Sequence, residues 1–140
     1  MRTILFIILI SALLIIWQCA TLKPTVSGVD AALKRYDNLI KKVDGDYIAM
    51  MYTTDGDLGN SAHGRAAIKK MLDGFKNFKV LEQKSTSNTI NIKGDSALQK
   101  GFYNQTAVVG KDTYRIKKSF TIHWAWNNKK EWLVKRFDVD

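Results

Sequence analysis

The sequence predicts an α+β domain in which amphipathic helices cover an antiparallel sheet. Three observations carry that expectation. Apolar side chains recur at helical spacing over residues 29–43 and again at Ile68, Met71, Leu72 and Phe75. Beyond Phe78 the period becomes two: Tyr114, Ile116, Phe120, Ile122, Trp124 and Trp126 stand on one face, interrupted by Lys118. Arg115, Lys117, Ser119, Thr121 and His123 alternate with them on the other face. Turn signals at Lys93-Gly94-Asp95-Ser96, Gly110-Lys111-Asp112 and Asn127-Asn128-Lys129-Lys130 then cut this half into hairpin-joined strands. Helices first and strands after are the order of an α+β domain: three helices, then four antiparallel strands.

Taken in order, the chain begins with Arg2 and an apolar run from Ile4 to Trp17, broken only by Ser11. That run falls short of the roughly 20 residues a membrane-crossing helix needs. It matches the hydrophobic region of a secretory signal, and it has no polar face to suit a buried helix. Cys19, the single cysteine, follows at once, so no internal disulfide can form. Its place resembles the acceptor cysteine of a bacterial lipoprotein, although Ile16-Trp17-Gln18 departs from the leucine and small residues such signals carry. Either Cys19 is lipidated and becomes the mature N-terminus, or the segment is an uncleaved anchor or an ordinary signal. Each reading puts the domain in the cell envelope, attached to or exported across a membrane. Residues 1–19 are therefore the signal or anchor, 20–28 a linker with the only proline, and 29–140 the domain.

Residues 29–43 form the first expected helix, with Val29, Leu33, Tyr36, Leu39, Ile40 and Val43 on one stripe. Asp30 near its start and Lys41-Lys42 near its end suit the helix dipole. Asp44-Gly45-Asp46 breaks it. Tyr47, Ile48, Met50 and Met51 make a short second helix, and Asp55-Gly56 reads as a turn before a short strand. Gly64 then opens a third helix of good helix formers, which Gly74 weakens near its end. Phe78 starts the first long strand region, Thr89-Ile90-Asn91-Ile92 alternates, residues 97–109 follow as a second strand, and residues 131–139 make the last.

Composition bounds the function. The chain has 140 residues, 46% of them hydrophobic, enough for one packed core. Net charge is +9, and residues 1–19 hold only one of the basic groups, so the domain itself is basic. The lysines come in scattered pairs, unlike a nucleic-acid face with stacking aromatics. They read as solvated surface, or as attraction to an anionic membrane. Two histidines and one cysteine give no zinc set. Asp55-Gly56-Asp57 with Asn60 lacks the acid that completes a calcium loop, position 66 being alanine. No phosphate-binding glycine loop or nucleophile elbow occurs, and no cofactor is called for.

The succession Asp44-Gly45-Asp46, Met51-Tyr52-Thr53-Thr54-Asp55-Gly56, His63-Gly64-Arg65-Ala66-Ala67-Ile68, Gly94-Asp95-Ser96-Ala97 and Trp132-Leu133-Val134-Lys135-Arg136-Phe137 resembles the SnoaL-like branch of the nuclear transport factor 2-like superfamily. The resemblance spans residues 29–140. It implies a cone: a strongly curved antiparallel sheet around a long helix, with a pocket at the open end. Members include ketosteroid isomerases, scytalone dehydratase, polyketide cyclases and non-catalytic binding or assembly domains. Carried onto this chain, the isomerase oxyanion-hole tyrosine falls on Tyr36 and its general base on Asn60. An amide accepts no proton at neutral pH. Asp57, three residues away, faces the other side of a strand. The second pocket acid falls near Ile122, which is apolar. Dehydratase-type chemistry needs histidines, and His63 and His123 show no spacing that brings them together.

The candidate pocket residues are Tyr36, Tyr52, Asp55 and Asn60 from the helical half, with Phe75, Tyr103, His123 and Trp124 from the rest. His123 lies on the polar strand face, where a surface role is commoner, and His63 stands where a helix begins. The lining is expected to lack a working proton acceptor. The leading expectation is a domain that binds a small apolar or amphipathic ligand, or a partner protein, without catalysis. An isomerase- or dehydratase-like enzyme using Tyr36, Asp55 or His123 is the runner-up. A module that homodimerises through the open sheet face is the third reading.

Overall fold

The computed structural model describes residues 23–140. The expected signal or anchor and its Cys19 lie outside the described residues. Three helices, α1 (Val26–Lys42), α2 (Gly45–Met50) and α3 (Arg65–Asp73), accompany six strands, β1 (Tyr52–Leu58), β2 (Ala62–His63), β3 (Phe78–Lys93), β4 (Ser96–Val109), β5 (Asp112–Trp126) and β6 (Trp132–Val139). Among the described residues no helix is long and apolar enough to cross a membrane.

Helix α1 starts three residues before the stripe that predicts it, so part of the expected linker is helical. The cause is a cap: Thr25 is extended, and its Oγ1 accepts from the Gly28 amide at 3.1 Å. The helix ends at Val43, which takes the left-handed conformation at φ 51°. Its stripe of Val29, Leu33 and Tyr36 is buried, as predicted, against Phe120, Ile122 and Trp124 of β5 and Val134 of β6.

The sheet is six-stranded and mixed, in the order β2-β1-β6-β5-β4-β3. This corrects the expectation of four antiparallel strands. Strand β1 runs parallel to β6, pairing Tyr52 with Val134 and Asp57 with Arg136. Asp55-Gly56 is not a turn but part of β1, at a point where the register shifts between Tyr52 and Asp57. An Asp-Gly pair in a bulged strand looks, in sequence, like the same pair in a turn. The chain reverses instead beyond Leu58, where the Gly59 amide bonds Phe137 O at 2.7 Å and the Ser61 amide bonds Leu58 O at 3.0 Å.

The long hairpins follow the sequence closely. Gly94 and Gly110 close them at φ 57° and 61°. Strand β3 is one strand of 16 residues rather than two pieces, with register shifts at Val80/Glu82 and Ser87/Thr89. Bulges of this kind bend a sheet, and α1 lies in the resulting hollow. Gly101 of β4 leaves no room for a side chain: a Cβ there would lie 2.1 Å from Thr86 O of β3 and 2.7 Å from Phe120 Cζ of β5. The expected strongly curved sheet around a long helix is therefore present, with a parallel edge that periodicity cannot reveal.

Candidate functional site

A cavity of about 590 Å³ opens at the end of the domain where α1 terminates. Ile40 and Val43 reach it from the last turn of α1, and Ile48 from α2. Leu72 and Phe75 come from α3 and the turn after it, and Phe78 and Val80 from the start of β3. Gln105, Ala107 and Val109 of β4 and Tyr114 and Ile116 of β5 complete the lining. The Phe75 and Phe78 rings pack with centroids 5.1 Å apart. Beyond residue 118 the concave face of β5 is covered by the core, through Phe120, Ile122 and Trp124. Before it, Tyr114 is 51% exposed. The apolar alternation of β5 thus serves two ends, core in its second half and cavity wall in its first.

Two polar side chains belong to the lining, Gln105 and Tyr114, and Gln105 is tied inward. Its Nε2 donates to Gln83 Oε1 at 3.0 Å, and Gln83 Nε2 donates to Asp37 Oδ1 at 3.1 Å. Asp37 also accepts from the Ser85 amide and the Ser85 hydroxyl, each at 2.7 Å. A second relay runs deeper in the hollow. Trp124 Nε1 donates to Gln99 Oε1 at 2.9 Å, Gln99 Nε2 to Ser87 Oγ at 2.8 Å, and Ser87 Oγ to Asp30 Oδ1 at 2.7 Å. Two carboxylates two turns apart on one stripe of α1 therefore bind the polar inner positions of β3 and β4. Buried polar groups are tolerated when so satisfied.

The sequence-predicted residues scatter. Phe75 lines the cavity. Tyr36 and Tyr52 are buried in the core with their hydroxyls 2.9 Å apart. Burial pushes both phenols well above the ordinary range, and burial likewise raises the half-buried Tyr103. Trp124 is fully buried at the head of the second relay. Asp55 is exposed and ion-paired with Lys135 Nζ. That bond, with another from Thr53 Oγ1 at 3.0 Å, holds its carboxyl below the usual range. Asn60 accepts from Arg136 Nη2 at 2.9 Å in an exposed turn. His123 is exposed on the polar face of β5. His63 Nδ1 meets Asp57 Oδ1 at 2.8 Å on the surface. Tyr36, Asp55 and His123, the trio of the enzymatic reading, are thus in three different surroundings.

Asp37 is what sequence reasoning missed. It is 8% exposed and adjoins Tyr36, so the hollow does contain a carboxylate. The available signal was spacing: Asp30 and Asp37 stand seven apart on the stripe that also carries Leu33. Gln99, Tyr103 and Gln105 alternate on the concave face of β4, and Gln83 answers from β3. Among the described residues no group of three or more metal-ligating side chains occurs.

No family model matches the chain, and no curated protein matches it in sequence. Solved structures do match in fold. A ketosteroid isomerase-like protein from Erwinia carotovora atroseptica gives a TM-score of 0.70 at 14% identity, over 80% of this chain and 92% of that one. An NTF2-like protein with a cystatin-like fold from Novosphingobium aromaticivorans gives 0.64 at 17% identity, over 81% and 79%. A chain from Catenulispora acidiphila in complex with S-DNPA gives 0.64 at 15% identity, over 81% and 90%.

Proposed function

Given that the chain has the nuclear transport factor 2-like fold, we propose that it is a small-molecule-binding domain of the cell envelope that holds an apolar ligand without transforming it. The observation that carries this reading is the lining. Ten of the twelve cavity residues are apolar, and the two polar ones are an amide and a phenol. Such a site removes an apolar molecule from water, and its volume falls in the range of small-ligand pockets. The Catenulispora acidiphila structure shares the fold and holds a small molecule.

Acid–base catalysis needs an ionisable group within hydrogen-bond reach of the reacting atom. Asp37 is the carboxylate nearest to that requirement, but Gln83 and Ser85 occupy its oxygens with three donors, and it is absent from the lining. Assembly through the outer sheet face is less well supported. The register puts Lys84, Asn104 and Lys117 side by side there, all exposed, so a second copy would meet like charge.

The cavity lies away from the N-terminal end of α1. It opens at Ile40 and Val43, about 21 and 26 Å along α1 from Val26 at the helical rise. A lipid on Cys19 would hold the domain at a membrane. Mass spectrometry of the mature N-terminus tests this part: a diacylated Cys19 supports it, and an unmodified cysteine within an intact first segment overturns it. For binding, the test is titration with the neutral fluorophore N-phenyl-1-naphthylamine. Saturable enhancement, lost in Val109→Trp, is expected; enhancement that survives Val109→Trp would refute the cavity as the site.

A further inference from the structure

We infer that Gln105 is the specificity-determining contact of the cavity, and that it selects an uncharged apolar molecule carrying a hydroxyl group. The inference rests on the binding role just proposed and adds the ligand's chemistry.

Asp37 orients both amides of the relay. A carboxylate offers acceptors only, so the side of Gln83 that faces it must be the NH₂ group. That turns Gln83 Oε1 toward Gln105, and Gln105 must answer with its own NH₂. Both amides are thereby oriented by a charge outside the lining. Gln105 Oε1 is left without a donor among the described residues, on a side chain that forms part of the cavity wall. An acceptor left unpaired on closure around a ligand costs free energy, so the ligand that fits best brings a donor there.

Register fixes how the molecule would lie. Gln105 pairs with Ile116, and Ala107 with the half-exposed Tyr114, so Gln105 is two residues further in along β4. Two strand residues are about 6.8 Å. The hydroxyl enters first and the apolar body lies outward among Phe75, Phe78 and Val109. A carboxylate head has no proton to give Oε1. What could attract it is the Tyr114 hydroxyl, which stands at the mouth rather than at Gln105, and Lys118, which the register puts on the same face beside Tyr103 but which is exposed and outside the lining.

Displacement of N-phenyl-1-naphthylamine by 1-decanol, its methyl ether and decanoate tests the inference. Wild type should bind the alcohol about tenfold more tightly than the ether, the worth of one hydrogen bond in a dry site. Gln105→Leu should bring that ratio to about one while still binding the fluorophore. Gln83→Leu, which unpins Gln105 but leaves Asp37 with both Ser85 donors, should lower the ratio without changing fluorophore affinity. That response separates a positioning role from a merely structural one. Equal binding of alcohol and ether by wild type, an unchanged ratio in Gln105→Leu, or tighter binding of decanoate overturns the inference. Fluorophore binding that is absent, or indifferent to Val109→Trp, refutes instead the binding reading beneath it.

Discussion

The hydroxyls of Tyr36 and Tyr52 lie 2.9 Å apart inside the core, with their rings edge to face at 6.1 Å. Each phenol is the other's partner, and the pair joins α1 to β1, the strand that runs parallel to β6. Removing one hydroxyl leaves the other buried with nothing to bond, whereas removing both leaves two rings of nearly the same shape. Tyr52→Phe alone should therefore cost about 1–3 kcal/mol, and the Tyr36→Phe, Tyr52→Phe double variant less than the sum of the singles. Urea unfolding of the four proteins of the cycle measures this, and simple additivity would contradict it.

The same pair predicts an alkaline limit. Burial raises both phenols above their unfolded values, so the unfolded chain loses these protons first as pH rises. Their contribution is intact below the unfolded tyrosine value of about 10 and is lost above it. Stability from urea midpoints should fall more steeply between pH 9.5 and about 11 in wild type than in the double phenylalanine variant. Parallel profiles would show that the two phenols are not what titrates.

Gly101 predicts the largest single loss. A methyl group there would meet Thr86 O of the neighbouring strand at 2.1 Å and Phe120 Cζ at 2.7 Å. Phe120 can turn, but the backbone carbonyl cannot yield without opening the β3–β4 ladder. Gly101→Ala should cost about 3 kcal/mol or more, where an alanine in an ordinary strand would be neutral or favourable. Thermal unfolding by circular dichroism checks it, and a loss under 1 kcal/mol would mean the strands separate easily at this point.

Periodicity made most of the fold legible because burial on one face is what it records. The α1 stripe at Val29, Leu33 and Tyr36 and the β5 series Phe120, Ile122 and Trp124 are the core. The mixed edge was not legible, since parallel pairing of Tyr52 with Val134 joins segments about eighty residues apart with no turn between them to mark it. The site was less legible than the fold. Tyr36, Tyr52 and Trp124 looked like pocket residues because aromatics line pockets, but they also fill cores, and composition cannot tell the two apart. Asp55, Asn60 and His123 are exposed because their strand or turn positions face outward. The relays from Asp30 and Asp37 depend on which strand residues meet α1, and the bulges that set this leave no mark in the sequence of Ser85 or Ser87.

Asp37 offers the clearest test of whether the polar seam stabilises the domain or only organises it. Three donors converge on it, one of them the Ser85 backbone amide. In Asp37→Ala the amide and hydroxyl of Ser85 and the Gln83 NH₂ lose their acceptor in a place water reaches poorly. The cost should be about 2–4 kcal/mol. Asp37→Leu should be no better, because the stranded donors belong to β3 and stay behind. Combining Asp37→Leu with Ser85→Ala and Gln83→Leu removes two side-chain donors and leaves the Ser85 amide wanting, with the Gln105 NH₂ released toward the cavity. That triple variant should regain part of the loss. A triple variant less stable than Asp37→Leu, by urea unfolding, would show that the donors contribute through packing rather than through their bonds to this carboxylate.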